Sequence, residues 1–226
     1  MRPSLWLFDL DGTLIDSAPG IHASIDHALT ALGLAPLPVA QLPQWIGPPL
    51  RESFTRVLPD AAAVETAVAR YREHYAAQGW AAHRAYPGIP ELLRQLGDGG
   101  ARLAIVTSKV ERYARQIVQA AHWGQHFRAV YGVGEASAHS EKAAQIARAV
   151  RDFAIAAGAS AMLGDRHYDI AGARANGVQA LGALWGYGTR AELLDAGADA
   201  VFPAPAALAQ WATSGATRAS AQDLHP

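Results

Sequence analysis

The sequence predicts an α/β fold: a parallel β-sheet with helices on both faces, interrupted early by an all-helical insertion. Three observations carry this. Leu5-Trp6-Leu7-Phe8 is a short unbroken apolar run ending at a turn signal, Asp9-Leu10-Asp11-Gly12, the pattern of a strand buried on both faces. From Tyr86 onward, apolar runs of strand length alternate with segments of helical periodicity, as in a parallel sheet covered on both sides. Between Ser17 and Ala82 no convincing strand is visible, so that stretch reads as a small separate domain of helices.

Each element has its own signal. Ile21, Ile25, Ala28, Leu29 and Leu32 have helical spacing over 18–32, and Gly33 stops that helix. Pro36, Pro38 and Pro43 cut the next stretch into short pieces. A turn at Ile46-Gly47-Pro48-Pro49-Leu50 leads to a helix through Val57. Pro59-Asp60 starts another helix, with Val64, Val68, Tyr71 and Tyr75 on one face and Gly79 closing it. Pro87-Gly88-Ile89-Pro90 opens a helix to Leu96, since proline suits a first helical turn. Strands are expected at 102–106, 127–131, 161–163 and 178–184, and helices at 110–121, 141–157 and 170–176. A helix, a short strand and a helix finish the chain, with a loose polar end from Ser214.

Composition narrows the classes. At 226 residues, 50% of them hydrophobic, the chain holds one large domain or a core with a smaller one. Lys and Arg total 19 against 20 Asp and Glu, a net charge of −1, which argues against a nucleic acid polymer as partner. The absence of cysteine excludes disulfides and thiolate chemistry. No apolar run approaches a membrane span, and Met1-Arg2-Pro3-Ser4-Leu5-Trp6 leads into the first strand without a signal peptide. A cytoplasmic protein is expected.

The chemistry gathers at the strand ends. In an open parallel sheet, ligands sit beyond the carboxyl ends of the strands. Asp9, Thr107 and Asp165 each fall there, delivered by three separate strands, with Ser108, Lys109 and Lys142 nearby. Asp9 and Asp11 start out on one side of the chain, and Asp165 and Asp169 follow across a strand-to-helix turn. Four clustered carboxylates repel unless a cation sits among them, and hard oxygen donors with open positions suit Mg²⁺. Asp169 alone would also serve as an N-cap for the helix after it. The nine His show no metal-ligand spacing, and Gly132-x-Gly134 lacks the third glycine of a dinucleotide loop.

Taken in order, Asp9-x-Asp11-Gly12-Thr13, Thr107-Ser108-Lys109, Lys142 at a helix start, and Gly164-Asp165-x-x-x-Asp169 resemble the motif series of the haloacid dehalogenase superfamily. Gly47-Pro48-Pro49-Leu50, Tyr86-Pro87-Gly88 and Leu184-Trp185-Gly186-Tyr187-Gly188 resemble its phosphoglycolate phosphatase-like branch, including 5′-nucleotidase-like members. The resemblance implies a Rossmann-like core at 1–16 and 83–226, with a helical cap domain at 17–82. It implies that Asp9 attacks phosphorus and forms an aspartyl-phosphate, and that Asp11 acts as acid and then base. Thr107, with Ser108, would bind phosphoryl oxygens, and Lys142 would neutralise charge on nucleophile and phosphate, with Lys109 as the alternative cation. Asp9, Asp165 and the main-chain carbonyl of Asp11 would hold Mg²⁺, supported by Asp169.

The implied activity is phosphate release from a small phosphate monoester, most simply phosphoglycolate. A 5′-nucleotidase, a β-phosphoglucomutase-like mutase, and a non-catalytic binding protein remain alternatives. A dehalogenase proper is disfavoured by the acid at position 11. Gly47, Pro48 and Leu50 are expected to face the cleft, with Arg51 or Arg56 as anion contacts. Arg and Trp45 together leave a small acid and a nucleoside monophosphate both open. Oligomeric state is not legible.

Overall fold

The structure, a computed structural model, describes residues 2–134 and 142–214. The chain runs β1 (Leu5–Phe8), β2 (Ile15–Asp16), α1 (Ala18–Ala31), α2 (Leu50–Thr55), α3 (Ala61–Ala77), β3 (Arg84–Ala85), α4 (Ile89–Asp98), β4 (Arg102–Val110), α5 (Glu111–Ala120), β5 (Phe127–Val133), α6 (Lys142–Phe153), β6 (Ser160–Gly164), α7 (His167–Ala175), β7 (Gln179–Ala183), α8 (Arg190–Asp195), β8 (Ala200–Phe202) and α9 (Pro205–Ser214). Short 3₁₀ turns join several of them. Of the described residues, 2–15, 85–134 and 142–214 form one compact unit, and Asp16–Arg84 form a second. Among the described residues no helix is long and apolar enough to cross a membrane.

The first unit is built on a six-stranded sheet of order β5-β4-β1-β6-β7-β8, every pairing parallel. The chain fills one side of β1 with β4 and β5, then returns to the other side with β6, β7 and β8. Connections that diverge from neighbouring strands leave a crevice at their carboxyl ends, the usual ligand site of such sheets.

All four residues of β1 are buried, which explains why the run is apolar without alternation. Leu5 and Leu7 join Ala104, Val106 and Met162 beneath Ile146, Ala149, Ile170 and Ala173 of α6 and α7. Trp6 and Phe8 serve the opposite face. Their rings stack at 6.2 Å, Phe8 meets Phe127 edge-on at 5.8 Å, and Trp6 meets Trp211 of α9 at 6.3 Å. Truncating a ring packed this way costs roughly 3–5 kcal/mol.

The second unit packs α1 against α3. Asp60 caps α3 by accepting from Ala63 N–H at 2.8 Å. Ser24 Oγ donates to Gly20 O at 2.8 Å and contacts His74 Nδ1 at 3.0 Å, tying the two helices.

Several expected boundaries shift. β4 runs on to Val110, so Thr107-Ser108-Lys109 lie inside it, where its register with β5 slips between Val106 and Val110. Such irregularities re-aim side chains beside active sites. α6 ends at Phe153 rather than Ala157, because Ala154 takes a left-handed φ of 51°. Ile155 and Ala157 still pack on the core. Glu141, the expected first residue of that helix, lies outside the described residues, as does the polar end after Ser214. α2 stops at Thr55, short of Val57. α7 begins at His167, three residues before the expected start. Asp169 is therefore not its N-cap; it sits in the first turn and accepts from Arg166 N–H at 3.1 Å. The pair β2 and β3 is too short for strand alternation to show in sequence.

Candidate active site

Asp9 follows β1 directly, and its N–H donates to Leu163 O at 2.9 Å, which carries the β1–β6 pairing one residue beyond the strand. Its carboxylate Oδ1 accepts from Lys142 Nζ at 2.9 Å. That ammonium also lies 2.8 Å from Asp169 Oδ1 and donates to Val106 O at 3.0 Å. Lys142 thus hydrogen-bonds Asp9 and Val106 and forms an ion pair with Asp169. It ties together the end of β1, the middle of β4 and the start of α7. This placement suits Lys142 to orient Asp9.

Asp165 is fully buried and closely surrounded. Its Oδ1 accepts from Thr13 Oγ1 at 3.1 Å and its Oδ2 from Tyr187 N–H at 2.8 Å. Gly12 turns at φ +85°, and a Cβ there would overlap the Asp165 carboxylate. Gly188 approaches the main-chain oxygen of Asp165 as closely, so that only glycine fits. Trp185 Nε1 donates to Thr13 O at 2.9 Å, which joins the Leu184-to-Gly188 segment to the first motif.

One carboxylate oxygen from each of Asp9, Asp165 and Asp169 lies within 4.8 Å of the other two, and all three residues are buried. Burial raises the Asp9 pKa from 3.8 to about 6; Lys142 opposes this, while Asp169 and Asp11 add to it. Burial, with the charges of Asp9 and Asp169, also pushes Asp165 well above the usual carboxylate range, against the pull of Tyr187 N–H and Arg166. Burial works against the Lys142 ammonium too, but Asp169 and Asp9 outweigh it and raise its pKa. Three converging carboxylates thus face one ammonium. The donor set fits a hard divalent cation, whose charge relieves this excess.

Asp11 does not join the cluster through its carboxylate. Its Oδ1 lies 2.8 Å from Lys109 Nζ. Thr107 Oγ1 accepts from Lys109 N–H at 3.1 Å, which leaves the hydroxyl proton of this buried residue to donate elsewhere. Ser108 is half-buried beside it. In the helical unit, Gly47 turns at φ +109° before α2. Arg51 on α2 holds Glu65 by two hydrogen bonds of 2.5 and 2.9 Å, so its guanidinium already carries an ion pair.

The sequence reading missed several contributors. Thr13 was part of a motif but had no assigned contact. Tyr187 acts through its N–H, which no side-chain pattern reveals. Glu192 gave no signal, although its Oε1 accepts from Arg166 Nε at 2.8 Å and His167 N–H at 3.0 Å, and lies 2.7 Å from His167 Nδ1.

Comparison with known proteins agrees with this geometry. Residues 6–183 match the model of a family described as haloacid dehalogenase-like hydrolase. The tyrosine-protein kinase PtkA of Mycobacterium tuberculosis is 40% identical over 196 residues, 85% of this chain; the chain spans 66% of PtkA's length. A 5′-nucleotidase of Pseudomonas aeruginosa is 38% identical over 188 residues, 83% of this chain and 85% of that protein. Phosphoglycolate phosphatase 1 of the same organism is 30% identical over 193 residues, 82% of this chain and 71% of that protein. A crystal structure described as a predicted phosphatase from Clostridium acetobutylicum superposes with a TM-score of 0.87 at 32% identity, covering 93% of this chain and 98% of that one. Motif order, sheet topology and these matches agree: the chain belongs to the haloacid dehalogenase-like hydrolase family.

Proposed function

We propose that the protein is a Mg²⁺-dependent phosphomonoesterase of the cytoplasm, acting on a small phosphorylated metabolite through a phosphoryl group carried on Asp9. The observation that carries this reading is the Asp9–Lys142 pair at 2.9 Å. With Oδ1 held, the second oxygen is oriented for in-line attack on phosphorus. Attack forms the Asp9–phosphorus bond as the bond to the leaving oxygen breaks, and Asp11 gives that oxygen its proton. Asp11 then takes a proton from water as the water attacks phosphorus, releasing phosphate and restoring the Asp9 carboxylate. Thr107 donates its free hydroxyl proton to a phosphoryl oxygen.

Asp9, Asp165 and the main-chain carbonyl of Asp11 would hold the cation, with Asp169 beside them. When bound, Mg²⁺ supplies positive charge that offsets carboxylate–phosphate repulsion. The similarity to proteins named phosphoglycolate phosphatase and 5′-nucleotidase favours those two substrate classes. The test is phosphate release from phosphoglycolate, nucleoside 5′-monophosphates and sugar phosphates, with Mg²⁺, with chelator and with Asp9→Asn. Turnover requiring both Mg²⁺ and Asp9 supports the reading, and turnover that survives Asp9→Asn rejects it.

A second reading has a specific observation behind it: 40% identity to a protein named as a tyrosine kinase. The same Asp9 chemistry would then pass phosphoryl to an acceptor other than water. Incubation with a phosphate donor and a tyrosine peptide or sugar phosphate separates the readings. Free phosphate marks the hydrolase; a phosphorylated acceptor marks the transferase.

A further inference from the structure

We propose that Glu192 is a positioning residue that fixes the 164–169 loop and thereby sets the affinity of the three-aspartate site for a divalent cation. This rests on the metal reading above. The loop contributes two of the three converging carboxylates, those of Asp165 and Asp169. Both depend on backbone placed from outside the loop. Asp169 is aimed by Arg166 N–H, which donates to its Oδ2 at 3.1 Å. The position of Arg166 is set in turn by Glu192, whose Oε1 accepts from Arg166 Nε at 2.8 Å. The same oxygen accepts from His167 N–H at 3.0 Å and contacts His167 Nδ1 at 2.7 Å. One carboxylate oxygen thus grips two successive residues of the loop.

Glu192 is itself held. Its N–H donates to Thr189 Oγ1 at 3.1 Å, capping α8. The segment leading into α8 touches the loop twice more, through Tyr187 N–H on Asp165 Oδ2 and the close approach of Gly188 to Asp165 O. Burial disfavours the Glu192 charge, but the donors from Arg166 and His167 outweigh it and hold its pKa at about 2. The grip is therefore charge-assisted at neutral pH. Groups that orient the ligands of a metal typically change its affinity by about 10- to 100-fold when removed. Glu192 touches none of the reacting atoms, so its effect appears in cation binding.

The test measures Mn²⁺ binding to the metal-free full chain by electron paramagnetic resonance, in wild type, Glu192→Gln, Glu192→Ala, Asp165→Asn and Asp199→Ala. Asp199 is a control for general destabilisation: its carboxylate accepts from Ala180 N–H at 2.8 Å, at the opposite end of β7. The expected result is a Kd raised about 10-fold by Gln, which keeps an acceptor, and up to about 100-fold by Ala, with Asp199→Ala unchanged. The isosteric Gln variant decides alone if Ala fails to fold. A Glu192→Gln protein that binds Mn²⁺ as wild type does overturns this proposal and leaves the metal reading standing. Wild type that binds no better than Asp165→Asn overturns the metal reading and this proposal together.

Discussion

Lys109 Nζ stands 2.8 Å from Asp11 Oδ1, a pair whose side chains are only 7% and 15% exposed. The proposed general acid is thus held by a cation from the irregular end of β4. Lys109→Met should slow hydrolysis of alkyl phosphates by about 10- to 100-fold in kcat/KM, because a poor leaving group needs its proton. p-Nitrophenyl phosphate, whose leaving group needs none, should be slowed much less. Equal losses on both substrates would remove Lys109 from any role in positioning Asp11.

Lys142→Met leaves Asp9 and Asp169 buried against each other without their shared ammonium. Removing one partner from such a cluster costs about 3–5 kcal/mol. Urea unfolding in chelator should show a loss of that size. Added Mg²⁺ should recover part of it, because a cation again stands among the carboxylates. Phosphate release should fall by at least about 100-fold.

Much of the site was legible in sequence for a physical reason. Asp9 and Asp165 follow buried strands and Thr107 follows the buried apolar run of β4, and such runs announce themselves in sequence. The helical insertion was legible for the same kind of reason, through apolar spacing and glycine stops. The extension of β4 was not, because Thr107-Ser108-Lys109 has the composition of a turn and follows the apolar run. Nor were the contacts that organise the site. The Lys142–Asp9 pair joins residues 133 apart, and Thr13–Asp165 joins residues 152 apart. Residue spacing along the chain carries no record of such pairings. Glu192 looks like any acid in the first turn of a short helix; only its three donors give it meaning.

Asp9 should cost the folded protein stability when no cation is bound. Its pKa rises from 3.8 to about 6 on folding, chiefly through burial, so the folded state binds its proton more tightly than the unfolded one. Stability therefore falls as pH rises between those values and stays reduced above them. In chelator at neutral pH, Asp9→Asn should be more stable than wild type by about 1–3 kcal/mol. Thermal unfolding against pH should show the gap closing below about pH 4.

Glu192 has the opposite sign. Its pKa drops from 4.5 to about 2, since the donors of Arg166 and His167 outweigh burial. Its contribution is complete above the unfolded value and is lost as pH falls from 4.5 towards 2. In chelator, Glu192→Gln should be less stable than wild type by about 1–2 kcal/mol at neutral pH. The difference should vanish in acid unfolding near the folded-state value.

The most direct test of the account is to trap the phosphoryl group on Asp9. Wild type would be mixed with its best substrate and Mg²⁺, quenched during turnover with borohydride, and digested for mass spectrometry. Borohydride reduces an aspartyl-phosphate to homoserine and leaves free carboxylates alone. The account predicts homoserine at position 9, dependent on substrate and on Mg²⁺, and no turnover with Asp9→Asn. Phosphate release with Asp9 unmodified throughout turnover, and persisting in Asp9→Asn, would contradict it.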